Sequence, residues 1–240
     1  DNRIIRMFFL KECIVCDNLI TRMGTKRFIR KWWNMGENIL KLNGLSIEIL
    51  ERLSYESDLG ISLKKNLHYF DKARLIKELS EMAEWYDEQT ILEEVALDYR
   101  VKSIESILSK YDRYYPNTQT RKVFNDILGF RAFCDSYDSI LDLNKGTFRI
   151  ADMSKGKAKD DGYRGVHVYF QKNSRCYPIE IQFNTLYDRQ LNNWLHDYLY
   201  KKDYPNELGK SIRKLYEDGE IRNENEFREA LKNVLFNSEK

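Results

Sequence analysis

The sequence predicts an α+β (α/β) fold: a mixed β-sheet of about five strands flanked by helices, with helical N-terminal and C-terminal extensions. Three observations predict it. Apolar residues recur at helical spacing before residue 98, short β-rich runs crowd the centre, and the tail turns helical again. The chain accordingly divides into a helical N-terminal region over 1–98, a core over 99–201 and a C-terminal helical region over 202–240.

Arg27–Leu42 and Asp71–Leu97 are the predicted N-terminal helices. In the second, Leu75, Leu79, Met82, Trp85 and Tyr86 recur every three or four positions. Tyr99–Tyr114 reads as a two-faced helix. Val101, Ile104, Leu108 and Tyr111 fall on one side, and Lys102, Ser106, Lys110 and Arg113 on the other, with Arg100 beside them. Asp126–Cys134, Thr147–Asp152, Val166–Gln171 and Cys176–Phe183 are β-rich runs. Glu207–Tyr216 and Glu224–Leu235 are the tail helices, and Asn206 looks like a cap for the first. Gly209-Lys210-Ser211 imitates the end of a phosphate-binding loop. That motif needs a glycine five positions earlier, where Tyr204 stands, so these residues read as plain helical surface.

A chain of 240 residues suits one large domain or a domain with an appendage. A hydrophobic content of 42% supports a packed core, and sixteen tyrosines against three prolines argue against disorder. Charged residues reach 32% but nearly cancel at +2, so no global basic field points to nucleic acid; a local basic cleft stays open. No apolar run approaches the roughly 18 residues of a membrane span, so no membrane partner is expected. Ile4–Leu10 is short and ends in Lys11 and Glu12, which makes a poor signal peptide. The chain begins at Asp1 without a methionine, compatible with a true start further upstream. Cys13 and Cys16 form one Cys-x-x-Cys with no second pair, which argues against zinc, while Cys134 and Cys176 read as small buried hydrophobes. The cytoplasm is the default compartment.

The chemistry-bearing residues gather in the core. Asp161-Gly162-Tyr163-Arg164-Gly165-Val166-His167 is a glycine-led turn that delivers Tyr163, Arg164 and His167 to the mouth of a strand. Glu180 and Gln182 follow on one face of the next strand. An aromatic ring, cations and a carboxylate together suit a nucleotide and its phosphates. The basic side of Tyr99–Tyr114 fits either a solvated surface or a cationic wall for a triphosphate. Strict alternation puts Asp126 and Arg131 on opposite faces, so a shared site needs Asp126 at the strand end or a bend at Gly129. Asp126 at a strand end suits Mg²⁺, which takes one or two protein carboxylates and phosphates; the plain alternative is an ion pair. Glu180 near it suits a metal site or a general base, or else ordinary half-buried alternation. His167 fits a hydrogen-bonded structural role as well as a catalytic one. Tyr163 reads as an exposed ring able to stack a base. Lys155, Lys157 and Lys159 form a solvated loop or a guide for phosphates.

Arg100-Val101-Lys102-Ser103, Asp126-Ile127-Leu128-Gly129-Phe130-Arg131, Gly162-Tyr163-Arg164 with His167, and Glu180-Ile181-Gln182 occur in the order seen in RelA/SpoT-type synthetase domains. This set resembles the alarmone (ppGpp/pppGpp) pyrophosphokinases, small alarmone synthetases among them, over about 99 to 201. His196 with Tyr200 and Lys201 resembles the family's closing helix. The resemblance implies transfer of the β,γ-pyrophosphate of ATP to a ribose 3′-hydroxyl. It implies that Arg100 and Arg131 sandwich the adenine, and that Lys102, Lys110 and Arg113 hold the ATP phosphates. Asp126 would hold Mg²⁺, and Glu180 would help position it and activate the hydroxyl. Tyr163 would stack on the acceptor base, with Lys159, Arg164, His167 and Gln182 around the acceptor's phosphates and sugar.

The acceptor side departs from the family pattern. Asn184 stands where the family usually has Arg, Arg189-Gln190-Leu191 where it has Asn or Asp before an aromatic pair, and Leu195 where it has Glu. GDP or GTP is the preferred acceptor, and the tRNA 3′ end used by toxic small alarmone synthetases is the enzyme rival. A catalytically silent nucleotide-binding sensor is the rival of another class, opposed by the presence of both Asp126 and Glu180. No hydrolase histidine–aspartate signature precedes residue 99. That N-terminal part is open to a role in homo-oligomerisation, regulation or antitoxin binding.

Overall fold

The structure is a computed structural model that describes residues 35–143, 146–202 and 204–238. Residues 36–240 cluster as one compact unit. Residues 27–34 of the first predicted helix, the Ile4–Leu10 patch, Cys13 and Cys16 lie outside the described residues.

The described chain opens with α1 (Met35–Leu42) and α2 (Ile47–Arg52), the latter capped by the Ser46 hydroxyl accepting from the Ile49 amide. Next, α3 (Lys72–Asp87) starts where the Asp71 carboxylate accepts from the Arg74 amide at 2.9 Å. Leu75, Leu79, Met82 and Tyr86 line its buried side, as the spacing predicts. It stops short of Leu97. The Glu88 amide closes on the Glu84 and Tyr86 carbonyls, tightening the last turn, and a separate short helix, α4 (Ile91–Glu94), follows.

The core runs β1 (Asp98–Val101), α5 (Ile104–Tyr114), α6 (Thr120–Val123), β2 (Leu128–Phe133), α7 (Asp138–Leu141), β3 (Phe148–Asp152), β4 (Val166–Phe170), β5 (Ile179–Asn184) and α8 (Leu186–Tyr198). The tail adds α9 (Asn206–Glu217) and α10 (Glu224–Ser238). The five strands form one mixed sheet in the order β1-β2-β5-β4-β3. β2 and β5 are parallel, and every other neighbouring pair is antiparallel.

The sheet corrects the helix predicted over Tyr99–Tyr114. Its first residues are a strand, because Tyr99 and Val101 pair with Phe130 and Leu128 along the free edge of β2. Helix starts only after Ser103, whose hydroxyl accepts from the Ser106 amide. The apolar side shifts with it: Ile107 and Tyr111 are buried, while Leu108 is 37% exposed. Asn206 is likewise not the cap of α9; Pro205 holds that position, with no side-chain hydrogen bond to the helix.

One face of the sheet is apolar. Leu128, Phe130, Ala132, Val166, Val168, Phe170, Ile179, Ile181 and Phe183 are buried in one cluster with Leu75, Leu79 and Met82 of α3 and Ile107 of α5. Cys134 and Cys176 are buried free thiols, as their strand-like settings predict. A smaller cluster unites α8, α9 and α10 through Leu191, Leu195, Ile212, Tyr216 and Phe227. No helix among the described residues is long and apolar enough to cross a membrane.

Phe130 is fully buried at the centre of the apolar face. Phe130→Ala is expected to cost roughly 3–5 kcal/mol, read as a lower urea midpoint. An unchanged midpoint contradicts the packing described.

Candidate active site

Residues opposed across neighbouring strands share a face. One row across this sheet reads Arg100, Gly129, Glu180, Tyr169, Arg149. The next reads Asp98, Arg131, Gln182, His167, Ala151. The second face is therefore polar, and five sequence-predicted residues (Arg100, Arg131, His167, Glu180, Gln182) stand on it together. Gly129 lies against Glu180 in the first row: a Cβ there would meet Glu180 Oε2 at an ordinary contact distance of 3.6 Å.

Glu180 is the centre of this face and only 4% exposed. His167 Nδ1 lies 2.9 Å from Oε1, and Gln182 Nε2 donates to Oε2 at 2.6 Å. The Tyr169 hydroxyl lies 3.4 Å from His167 Nδ1, beside the carboxylate. Burial pushes the Glu180 pKa up, but the His167 hydrogen bond and charge, with Gln182 and Tyr169, outweigh it and hold the carboxyl below its ordinary range. The other ring nitrogen of His167 lies 2.7 Å from the Tyr163 hydroxyl. A carboxylate can only accept, so Nδ1 carries a proton. The same Tyr169 hydroxyl feels both Glu180 and Asp126, whose charges with burial push its pKa upward.

Asp126 lies just outside β2, which resolves the alternation problem without a bend. Lys110 Nζ lies 2.8 Å from its Oδ1 and Lys102 Nζ 2.9 Å from Oδ2. Lys110 also donates to the Val123 carbonyl, and the Lys102 amide donates to Ile127 at 2.8 Å. The two lysines of the predicted basic face thus close on Asp126 rather than on water. Arg113 is exposed on the next turn of α5, and Arg100 and Arg131 are exposed on the sheet.

The glycine-led turn enters β4. Gly162 has φ +86°, open to glycine at little cost. Tyr163 corrects the expectation of an exposed ring: it is half-buried, Lys157 Nζ lies 4.9 Å from its ring centre, and burial pushes its pKa up to about 12. Arg164 pairs with Asp160 at 2.7 Å, while Lys159 stays exposed on the loop. A cleft of about 760 Å³ opens beside the polar face, lined by Arg121, Lys122, Phe148, Arg149, Tyr169 and Gln171 among others. Arg149 sits 3.8 Å over the Tyr169 ring.

Residues 99–204 match the family model described as "Region found in RelA / SpoT proteins". This stretch is similar to the region shared by RelA and SpoT proteins. No curated protein matches the chain. Among solved structures, the chain is similar to small alarmone synthetase 1 from Bacillus subtilis bound to its product pppGpp, at 21% identity and TM-score 0.37, over 70% of this chain and 90% of that one. Small alarmone synthetase 2 from Bacillus subtilis gives 21% identity and TM-score 0.36, over 70% and 92%. A GTP pyrophosphokinase family protein from Streptococcus pneumoniae gives 24% and 0.33, over 70% and 86%.

The RelA/SpoT region is held from outside by the tail, which sequence reasoning missed. Gly209 is no plain surface residue. A Cβ there would lie 2.0 Å from the Asp161 carbonyl oxygen, and one on Gly162 would lie 2.3 Å from the Gly209 oxygen. Two backbones touch at this point, and only glycines permit it. Arg213, 1% exposed, donates through Nε to the Gly162 carbonyl at 2.7 Å, and through Nη1 to Asp188 at 2.8 Å. Asp188 also accepts from Tyr137 at 2.7 Å, and Tyr200 donates to the Asp161 carbonyl at 2.9 Å. Asn192 donates to the Arg164 carbonyl at 2.7 Å, and His196 is exposed beside Asp197. One signal was available: a glycine inside a helix costs about 1 kcal/mol, so Gly209 implied a close approach.

Among the described residues no three His, Cys, Asp or Glu side chains gather as a metal cage. Asp126, held by Lys102 and Lys110, and Glu180, held by His167 and Gln182, offer hard oxygen donors. That set fits Mg²⁺, which keeps its waters and binds through one or two carboxylates plus substrate phosphates.

Arg213→Met is expected to leave Asp188 buried without its cation and to cost roughly 3–5 kcal/mol in chemical denaturation. A variant of unchanged stability contradicts the clamp.

Proposed function

We propose that this chain is a Mg²⁺-dependent pyrophosphokinase that moves the β,γ-pyrophosphate of ATP to the ribose 3′-hydroxyl of an acceptor, GDP or GTP. Its RelA/SpoT region supports the reaction class. The observation that carries the proposal is Glu180: a buried carboxylate held below its ordinary pKa on the sheet face it shares with Arg100 and Arg131, with Asp126 and its two lysines just ahead of β2.

Arg100 and Arg131 stand on one face of an antiparallel pair as diagonal neighbours, since Arg100 opposes Gly129. Such positions lie about 7–8 Å apart, room for one flat ring at about 3.5 Å from each guanidinium. Adenine sandwiched there is held by cation–π contact. Lys102, Lys110 and Arg113 neutralise the triphosphate, the two lysines exchanging Asp126 for phosphate oxygens. Mg²⁺, when bound, would neutralise phosphate charge, and Asp126 and Glu180 are the residues that would hold it.

On the acceptor side, Tyr163 and Gln182 flank the nucleotide, His167 keeps Glu180 oriented, and Lys159 offers a free ammonium group to its phosphates. Arg164, engaged by Asp160, acts through the order of the turn. The 3′-oxygen attacks the β-phosphorus of ATP, Glu180 takes its proton, and the bond to the α–β bridging oxygen breaks to release AMP. Tyr163, with its pKa pushed up to about 12, stays neutral throughout.

ATP labelled in its β- and γ-phosphates, offered with Mg²⁺ and with GDP, GTP or bulk tRNA, is expected to label GDP or GTP. Glu180→Gln should cut transfer roughly 10²- to 10⁴-fold with the fold retained. A folded Glu180→Gln protein that transfers label at the parent rate overturns the role. Label on tRNA moves the acceptor, and ATP binding with no label anywhere replaces the enzyme by a sensor.

A further inference from the structure

Arg189 lies in the second turn of α8 and plays no part in the reaction described above. Its Nε and Nη2 atoms are buried and have no hydrogen-bond partner among the described residues. The guanidinium carbon lies 5.6 Å from the centre of the Phe133 ring, which is 46% exposed. Asn184, at the end of β5, is half satisfied: Nδ2 donates to the Arg164 carbonyl at 2.8 Å, but Oδ1 is buried without a partner among the described residues. The charge of Arg189 reaches Tyr163, and that of Arg131, two residues before Phe133, reaches Arg189. Asp98 acts on it too, yet Nε and Nη2 remain unmet.

Two buried guanidinium N–H groups left without a partner are costly. Nε–H and Nη2–H point the same way from one edge of the guanidinium, as parallel donors spaced for two oxygens of one group. A second guanidinium nearby makes that group an anion, because a neutral base edge leaves two like charges facing each other. We propose that Arg189 binds a phosphate group of the acceptor substrate, Nε and Nη2 each donating to one oxygen, with the exposed Phe133 ring beneath and Arg131 alongside. The assignment of that phosphate to the acceptor rests on the pyrophosphokinase reading; the phosphate site itself does not.

Calorimetric titration of the full chain in EDTA with GDP, inorganic pyrophosphate and guanosine separates the two. Arg189→Gln is expected to weaken GDP and pyrophosphate roughly tenfold to a hundredfold and to leave guanosine unchanged. Arg189→Lys, which keeps the charge but not the fork, should fall between. With ligand absent, Arg189→Gln should raise Tm, since it removes buried N–H groups that have no partner. Unchanged pyrophosphate binding in Arg189→Gln overturns the proposal, as does an equal loss of guanosine, which makes Arg189 a reader of the base. A lowered Tm also overturns it, by showing the guanidinium already satisfied. Arg189-dependent phosphate binding in a chain that transfers no label keeps this site and removes the pyrophosphokinase.

Discussion

A carboxylate kept ionised inside the protein is the constraint on which the rest depends. Glu180 is 4% exposed, and a bare buried carboxylate would take up a proton. Two neighbours prevent that, His167 and Gln182, which hydrogen-bond to it, with the Tyr169 hydroxyl close by. They can do so only because β4 and β5 pair in a register that sets Tyr169 opposite Glu180 and His167 opposite Gln182. A slip of one residue would turn the whole group into the apolar face. The apolar packing against α3 and α5 therefore fixes the chemistry of the other face.

The same logic extends to the loop that enters β4. Backbone turns near a ligand need order without bulk. Here order comes from α9, through the Gly162–Gly209 contact and the Arg213 hydrogen bonds to Gly162 and Asp188. Asp188 also joins Tyr137, so the segment after β2, α8 and α9 meet at one carboxylate. The tail, outside the RelA/SpoT match, is in this way part of the site's support.

The polar face was legible because alternation is strict: Glu180 with Gln182 and His167 with Tyr169 fall together whatever the topology. Sequence order then marked the family. The strand Asp98–Val101 was not legible, because four residues ahead of a helix share its periodicity and only pairing with β2 separates them. Asp126 was recognised as an acid at a strand end, but its capture by Lys102 and Lys110 depends on where α5 lies against that end. Arg213 was invisible for a related reason. A buried arginine looks like a surface one until the opposing backbone is in place.

The most direct measurement is a pH titration of the Glu180 carboxyl carbon by ¹³C NMR, compared with Gln182→Ala. Its pKa is held below the ordinary glutamate value of about 4.3, so the stabilisation it confers is complete above that pH and fades as pH falls through the lower folded value. The account predicts a carboxyl that titrates below that ordinary value, moving upward when Gln182 is removed. A Glu180 that titrates above it in the intact protein would mean burial prevails over its hydrogen bonds, and the ionised centre of the site would be lost.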